Sequence, residues 1–205
     1  AGHALTQRRR AAARVWGPRL ATELAPLGMP HAELSFEVGA PEVASDPSGP
    51  RPAARIESIL GPVALQFTAN PGEPARALAR IASGGELSRV MLALKSVIES
   101  RDRVDLLFFD EVDSGIGGVV AQAVGERLSR LARHRQIVCV THLPLIAALA
   151  DHHLSVVKRV DAGRTLARIQ PVEHEDRVAE IARMLAGDRV TDTTRKQARE
   201  LLAHR

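Results

Sequence analysis

The chain has 205 residues, with 28 Lys+Arg against 24 Asp+Glu, a formal net charge of +4, one Cys and 2% aromatic residues. At 45% hydrophobic and 25% charged it has the composition of an ordinary folded chain of one or two domains, which excludes wholesale disorder, collagen and disulfide scaffolds. No apolar run approaches the roughly 20 residues that cross a bilayer, and the Arg-rich N-terminus lacks the apolar core and cleavage site of a secretory signal.

The lone Cys139, set in an apolar stretch, points to a reducing, cytosolic setting. The modest positive charge permits nucleic-acid binding without arguing for it. Of the basic residues only Lys95, Lys158 and Lys196 are lysines, and none follows a Gly, so the chain holds no G-K-[ST] phosphate loop.

In chain order, Leu5, Ala12, Val15, Leu20, Leu24 and Leu27 recur at near-helical intervals, predicting a helix over 4–27 that Gly17-Pro18 interrupts. It reads as the end of a longer helix within a larger protein, with residues 1–30 as one segment and 31–205 as the body. Leu34–Val38 and Val63–Thr68 alternate as strands that pair antiparallel, and the Pro-rich stretch 40–54 between them reads as a mobile insertion. From Ser83 helices and strands alternate. Leu87, Val90, Met91, Leu94, Val97 and Ile98 make one apolar helical face; Val104–Phe109 and Ile137–Val140 read as buried parallel strands, with a helix through Val120, Val124, Leu128 and Leu131 between them. A short helix over Pro144–Ala150, a hairpin turning at 161–164 and helices near 176–186 and 193–203 complete an α/β chain. Ligands of such sheets bind at the carboxyl ends of parallel strands, here Asp110 and Thr141-His142.

Ser83-Gly84-Gly85-Glu86 has the S-x-x-E spacing of a capping box. Two glycines in a first helical turn each cost about 0.8 to 1 kcal/mol relative to Ala, and their bare N–H groups suit an approaching anion at the positive end of the helix. A phosphate site and a simple cap are therefore both readings of this turn. The apolar run ending in Asp110-Glu111 is what a nucleotide hydrolase uses to hold magnesium and orient water, with an acidic strand-to-loop junction as the plainer alternative. Neighbours on a strand point to opposite faces, so two separate roles are expected rather than one chelating pair. The Gly-rich loop from Asp113 to Gly118 reads as a turn, and His142 as either a structural residue or a group reaching a phosphate. Asp151-His152-His153 reads as a helix end and strand start rather than a metal site.

The order of these features resembles the ATPase heads of the SMC-like group of ABC-type ATPases: S-G-G-E, then Asp-Glu starting 27 residues after Ser83, a Gly-rich loop, and a strand-end His 31 residues after Glu111. From about residue 60 onward, the stretches Phe67–Pro74, Ile81–Lys95, Phe109–Asp113, Val140–Pro144 and Glu180–Leu185 resemble the RecN family of bacterial DNA repair proteins. The stretch Ala69–Pro74 argues against another SMC-like family. The resemblance implies an α/β C-terminal lobe of a head, with the leading helix as the returning arm of a coiled coil and the phosphate loop on an N-terminal lobe.

In such heads two copies sandwich ATP. Ser83, Gly84 and Gly85, with Glu86 completing the signature motif, would contact the γ-phosphate held by the second head; Asp110 would act on Mg2+ through water and Glu111 on the attacking water. Asp113 and Ser114 would form the loop crossing to the second head, and His142 would sense the γ-phosphate. The implied partners are the N-terminal lobe, a second head in an ATP-dependent dimer, and DNA, in a nucleoid-associated, cytoplasmic protein. Leu145 departs from the Gln usual in the family at that position. A reading from another class makes the chain a non-catalytic module whose Arg8, Arg9, Arg10, Arg14 and Arg19 contact DNA.

Overall fold

The computed structural model describes residues 2–39, 61–80, 83–98, 102–161 and 164–203. The insertion expected at 40–54, the first two residues of the 81–95 stretch and the turn residues 162–163 lie outside them. The chain divides into two units, residues 1–100 and 101–205.

In the first unit, α1 (Gly2–Leu24) runs into a 3-10 turn (Ala25–Leu27) closed by Gly28 at φ 84. Left-handed glycine is the usual way to end a helix, because an L side chain there would meet its own backbone. Leu20, Leu24 and Leu27 are buried, whereas Val15 is 56% exposed. Val15 was expected on the packed face, but two positions are about 200° around a helix, and the buried stripe runs through Gly17. Strands β1 (Glu33–Val38) and β2 (Val63–Thr68) pair antiparallel from Glu33↔Thr68 to Val38↔Val63, as their alternation predicts, and β3 (Arg76–Ala77) extends the sheet beside β2. A Cβ on Gly17 would lie 2.5 Å from the Leu34 carbonyl oxygen. That mid-helix glycine lets β1 lie directly on the helix backbone.

Helix α2 spans Gly84–Val97. Its buried residues are Gly85, Arg89, Val90, Leu92 and Ala93, so the packed stripe is rotated from the expected face: Leu87, Met91 and Leu94 are only half-buried. Gly85, Arg89 and Leu92 keep helical spacing, but a glycine and an arginine carry no apolar signal. Burial lowers the Arg89 pKa, an effect the nearby Glu86 carboxylate opposes.

The second unit is a βαβ crossover followed by a short helix, a hairpin and two longer helices. Strands β4 (Leu106–Phe109) and β5 (Gln136–Cys139) are parallel, in register from Leu106↔Gln136 to Phe109↔Cys139, with α3 (Gly118–Ala132) between them. Ala121, Val124, Leu128 and Leu131 form the buried stripe of α3. An Arg135–Asp102 ion pair of 2.9 Å, with both side chains under 10% exposed, ties the starts of the two strands together. Then come α4 (Pro144–Ala148), the antiparallel β6 (His153–Asp161) and β7 (Arg164–Val172), α5 (His174–Ala186) and α6 (Asp192–Ala203). Ala147 and Ala148 of α4 pack with Val178, Ile181 and Ala182 of α5 and Ala198 of α6.

The expectation that β4 and β5 are buried on both faces is corrected. Phe109 is buried, but Leu106, Phe108, Val138 and Val140 are 53%, 64%, 38% and 51% exposed. The register places these four on one face, which no described residue covers. On the hairpin, Leu154, Val156 and Ile169 likewise share one exposed face. A run of apolar residues reports what a strand is built to be buried in, not what lies over it here.

Candidate functional site at the carboxyl ends of the parallel strands

β4 stops at Phe109, and the chain turns at once. Asp110 Oδ1 accepts the Glu111 N–H at 2.9 Å, the Ser114 N–H reaches the Glu111 carbonyl at 3.0 Å, and Glu111 itself has φ 55. A non-glycine residue in the left-handed region costs on the order of 1 to 2 kcal/mol and occurs where the surroundings hold it in place. Because Glu111 is outside the strand, the two-face alternation used above for Asp110 and Glu111 does not apply. Both residues are exposed at the strand end. Gly115 (φ 71) and Gly118 (φ 52) supply the left-handed geometry that carries the loop from this turn into α3.

Asp113 lies at the centre of the second feature. It is 4% exposed, and its Oδ2 accepts from the Thr141 hydroxyl at 2.5 Å and the His142 backbone N–H at 2.8 Å, with His142 Nδ1 lying 3.0 Å away. Thr141 Oγ1 also accepts the Leu143 N–H at 3.0 Å, next to the start of α4. The end of β4 is thus fastened to the end of β5 through a single carboxylate. Ser114, by contrast, is exposed.

Cys139 closes β5 beside this cluster. Burial pushes its thiol pKa up to about 12, and the Asp113 and Asp110 carboxylates push in the same direction. A thiol held neutral by burial, with two neighbouring negative charges acting the same way, is inert as a nucleophile. Leu145 lines an apolar groove of about 500 Å³ together with Leu143, Pro144, Gly117, Gly118 and Leu201.

Ser83, Gly84 and Gly85 belong to the first unit. Ser83 caps α2, with its Oγ accepting the Glu86 N–H at 3.3 Å, which is one half of the predicted capping box. Ser83 and Gly84 are exposed and Gly85 is buried. Among the residues singled out, the structure brings together Asp113 and His142 directly, with Asp110 and Glu111 on the same strand-end turn. His153 opens β6, as the strand-start reading predicts. Its pKa is lowered by burial and then by the Arg177 charge, against the pull of Glu180.

The sequence marks Thr141 only within the strand-end Thr141-His142 pair, and Arg177, whose Nη2 donates to the Ala147, Ala148 and Ala150 carbonyls, carries no motif. A hydroxyl residue immediately before a strand-end His was the one available signal for the first; nothing local marks the second.

Among the described residues no group of three or more His, Cys, Asp or Glu side chains is placed to hold a metal ion. An exposed single carboxylate such as Asp110 fits Mg2+ held mainly by phosphate oxygens and water, and does not fit a cation caged by protein alone.

No family model matches the chain. It is 46% identical over 210 residues to the DNA repair protein RecN of Streptomyces coelicolor, covering 97% of this chain and 35% of that protein. It is 46% identical over 177 residues to RecN of Deinococcus radiodurans, covering 86% and 29%. The chain therefore spans about a third of the length of these relatives.

Among solved structures, an Smc head domain with coiled coil and joint from Pyrococcus yayanosii superposes with a TM-score of 0.53 at 18% identity, over 80% of this chain and 28% of that one. A chain from structural work on ATP-driven dimerization and DNA-stimulated activation of SMC ATPases gives 0.50 at 14%, over 89% and 99%. Over the third of those relatives that it spans, the chain belongs to the RecN family of DNA repair proteins, and its fold is that of an SMC head domain.

Proposed function

We propose that the chain is the C-terminal lobe of an ATPase head that binds and hydrolyses ATP together with an N-terminal lobe bearing the phosphate loop. The observation that carries this reading is the clustering of Asp110, Glu111 and the Asp113-bound His142 at the carboxyl ends of two paired parallel strands. The exposed apolar face of Leu106, Phe108, Val138 and Val140 supports an N-terminal lobe as its cover.

In that head Asp110 holds Mg2+ through water. The ion, when bound, neutralises charge on the phosphate oxygens. Glu111, exposed on its left-handed turn, orients the attacking water and takes its proton as the oxygen–phosphorus bond forms and the bond to the ADP oxygen breaks. His142 presents its exposed ring to the γ-phosphate. The Ser83 hydroxyl and the N–H groups of Gly84 and Gly85 meet the γ-phosphate of ATP held by a second head, at the positive end of α2, and Ser114 with the Asp113 loop lies toward that head. The chain by itself, without a G-K-[ST] loop, does not turn over ATP.

In the whole protein this cycle couples head dimerisation to DNA engagement during double-strand break repair, in the cytoplasm and on the nucleoid. No described helix is long and apolar enough to cross a membrane. Replacing Glu111 by Gln in the full-length protein lowers ATP turnover by about 10² to 10⁴, the usual contribution of a positioned general base. Unchanged turnover in that variant overturns the reading.

A second reading, DNA contact by α1, is favoured by the exposure of Arg8, Arg10, Arg14 and Arg19. Arg9 is half-buried and donates to the Gly61 carbonyl at 3.2 Å, and Arg19 lies 5.1 Å over the Trp16 ring. Three arginines are left for phosphates. Neutralising Arg8, Arg10 and Arg14 together would abolish a salt-dependent affinity of this chain for DNA if they supply it; unchanged affinity rejects the reading.

A further inference from the structure

We infer that Thr141 is a positioning residue that fixes how the His142 side chain leaves the backbone at the strand ends. Three hydrogen bonds make a short directed chain there. The Thr141 hydroxyl donates to Asp113 Oδ2 at 2.5 Å, the His142 backbone N–H donates to the same oxygen at 2.8 Å, and Thr141 Oγ1 accepts the Leu143 N–H at 3.0 Å. An ionised carboxylate has only acceptors, so the one hydroxyl hydrogen points at Asp113 and the hydroxyl lone pairs are left for Leu143. A hydroxyl side chain fills both roles, and an apolar one fills neither.

The His142 and Leu143 N–H groups belong to the two planar peptide units on either side of the His142 Cα. Holding both units restrains φ and ψ of His142, and with them the direction in which its Cβ departs. Packing supplies little of this, since the His142 side chain is 71% exposed. The anchor is firm: the Asp113 side chain is 5% exposed, and the Asp113 carbonyl accepts the Ile116 N–H at 3.4 Å within the Gly-rich loop. Thr141 thus staples that loop to the entry of α4. The consequence for hydrolysis rests on the function proposed above: a histidine that meets the γ-phosphate works from a held position, and a misplacement of about 1 Å can cost about 10²-fold in rate.

Amide hydrogen exchange of the full-length protein, read by mass spectrometry in overlapping peptides across 139–146, tests the staple without any turnover. The His142 and Leu143 amides are expected to exchange about tenfold faster in Thr141→Val, which removes the hydroxyl at nearly constant volume, and within about threefold of wild type in Thr141→Ser, which keeps it. Unchanged exchange in a folded Thr141→Val overturns the staple. So does wild-type exchange at those two amides as fast as in an unstructured peptide, a result that needs no variant to fold.

In ATP turnover by the same protein, Thr141→Val is expected to lower kcat by about tenfold or more with KM for ATP within about twofold, and Thr141→Ser to restore most of it. In a His142→Ala background the Thr141→Val change should cost less than about twofold, because a residue that acts through His142 then has nothing left to position. Wild-type kcat in Thr141→Val overturns the positioning role, and so does an equal loss in both backgrounds. Glu111→Gln measured alongside separates the two failures. Lost turnover in Glu111→Gln with wild-type kcat in Thr141→Val leaves the ATPase reading standing without the positioning role; wild-type turnover in Glu111→Gln overturns the ATPase reading, and amide exchange alone then judges the staple.

Discussion

Replacing Arg177 with Met should be among the most destabilising single changes in the second unit. The Arg177 Nη2 group lies 3.2, 3.1 and 2.7 Å from the carbonyl oxygens of Ala147, Ala148 and Ala150. These carbonyls close a helix of five residues, too short to satisfy its own C-terminal acceptors. Ala147 also receives the Ala150 N–H at 3.3 Å, so Ala148 and Ala150 depend most on the guanidinium. One NH₂ group has two hydrogens and makes two good bonds at a time. Hydrogen bonds to a charged donor contribute about 1.5 to 3 kcal/mol each. The site is half-buried, so water replaces part of what is lost, and a net loss of about 2 to 3 kcal/mol is expected. Methionine keeps most of the stem packing, which isolates the polar loss. With a urea m-value of about 2 kcal/mol/M, the midpoint should fall by about 1 to 1.5 M with m unchanged. A midpoint within about 0.2 M of the wild type refutes the reasoning.

Gly17→Ala should lose about 1 to 2 kcal/mol in a thermal melt: alanine gains about 1 kcal/mol of helix propensity, but a Cβ 2.5 Å from the Leu34 carbonyl oxygen forces β1 off the helix. An unchanged or raised melting temperature contradicts this packing. His153 is held below its ordinary pKa of 6.5, so the unfolded chain binds the proton more readily. Its contribution to stability is present above pH 6.5 and is lost as the pH falls through the folded value. His153→Gln should flatten the dependence of the urea midpoint on pH below about 6.5, and an identical slope in the two proteins rejects the assignment. Cys139, with its thiol at about 12, should react with iodoacetamide at pH 8 slower by about two orders of magnitude or more in the folded chain than in urea; equal rates rule this out.

Much of the site was legible because its residues follow strands whose apolar runs announce them. Leu106–Phe109 and Gln136–Cys139 form the expected parallel pair, and Asp110 and His142 stand just beyond their ends. The cap at Ser83 was legible for the same reason: S-x-x-E is a contact between residues three apart. Periodicity failed where a buried position is held by a polar or tiny residue. Arg89 and Gly85 lie in the packed stripe of α2, and only the neighbouring elements explain them.

The sequence by itself determined the helices, the strand pairs and the chemical character of each strand end, since these depend on residues within a few positions of one another. Tertiary structure decided the rest. Asp113 and Thr141 are 28 residues apart, and their contact exists because α3 returns the chain so that β5 lies beside β4. The left-handed backbone at Glu111 is set by a turn closed through Asp110 and Ser114, and the Arg177 clasp by the packing of α5 on α4. Local preferences act over single turns of helix or adjacent strand positions. The carboxylate that holds the Thr141 hydroxyl and the His142 backbone N–H is supplied by a contact whose specificity appears only once the crossover has folded.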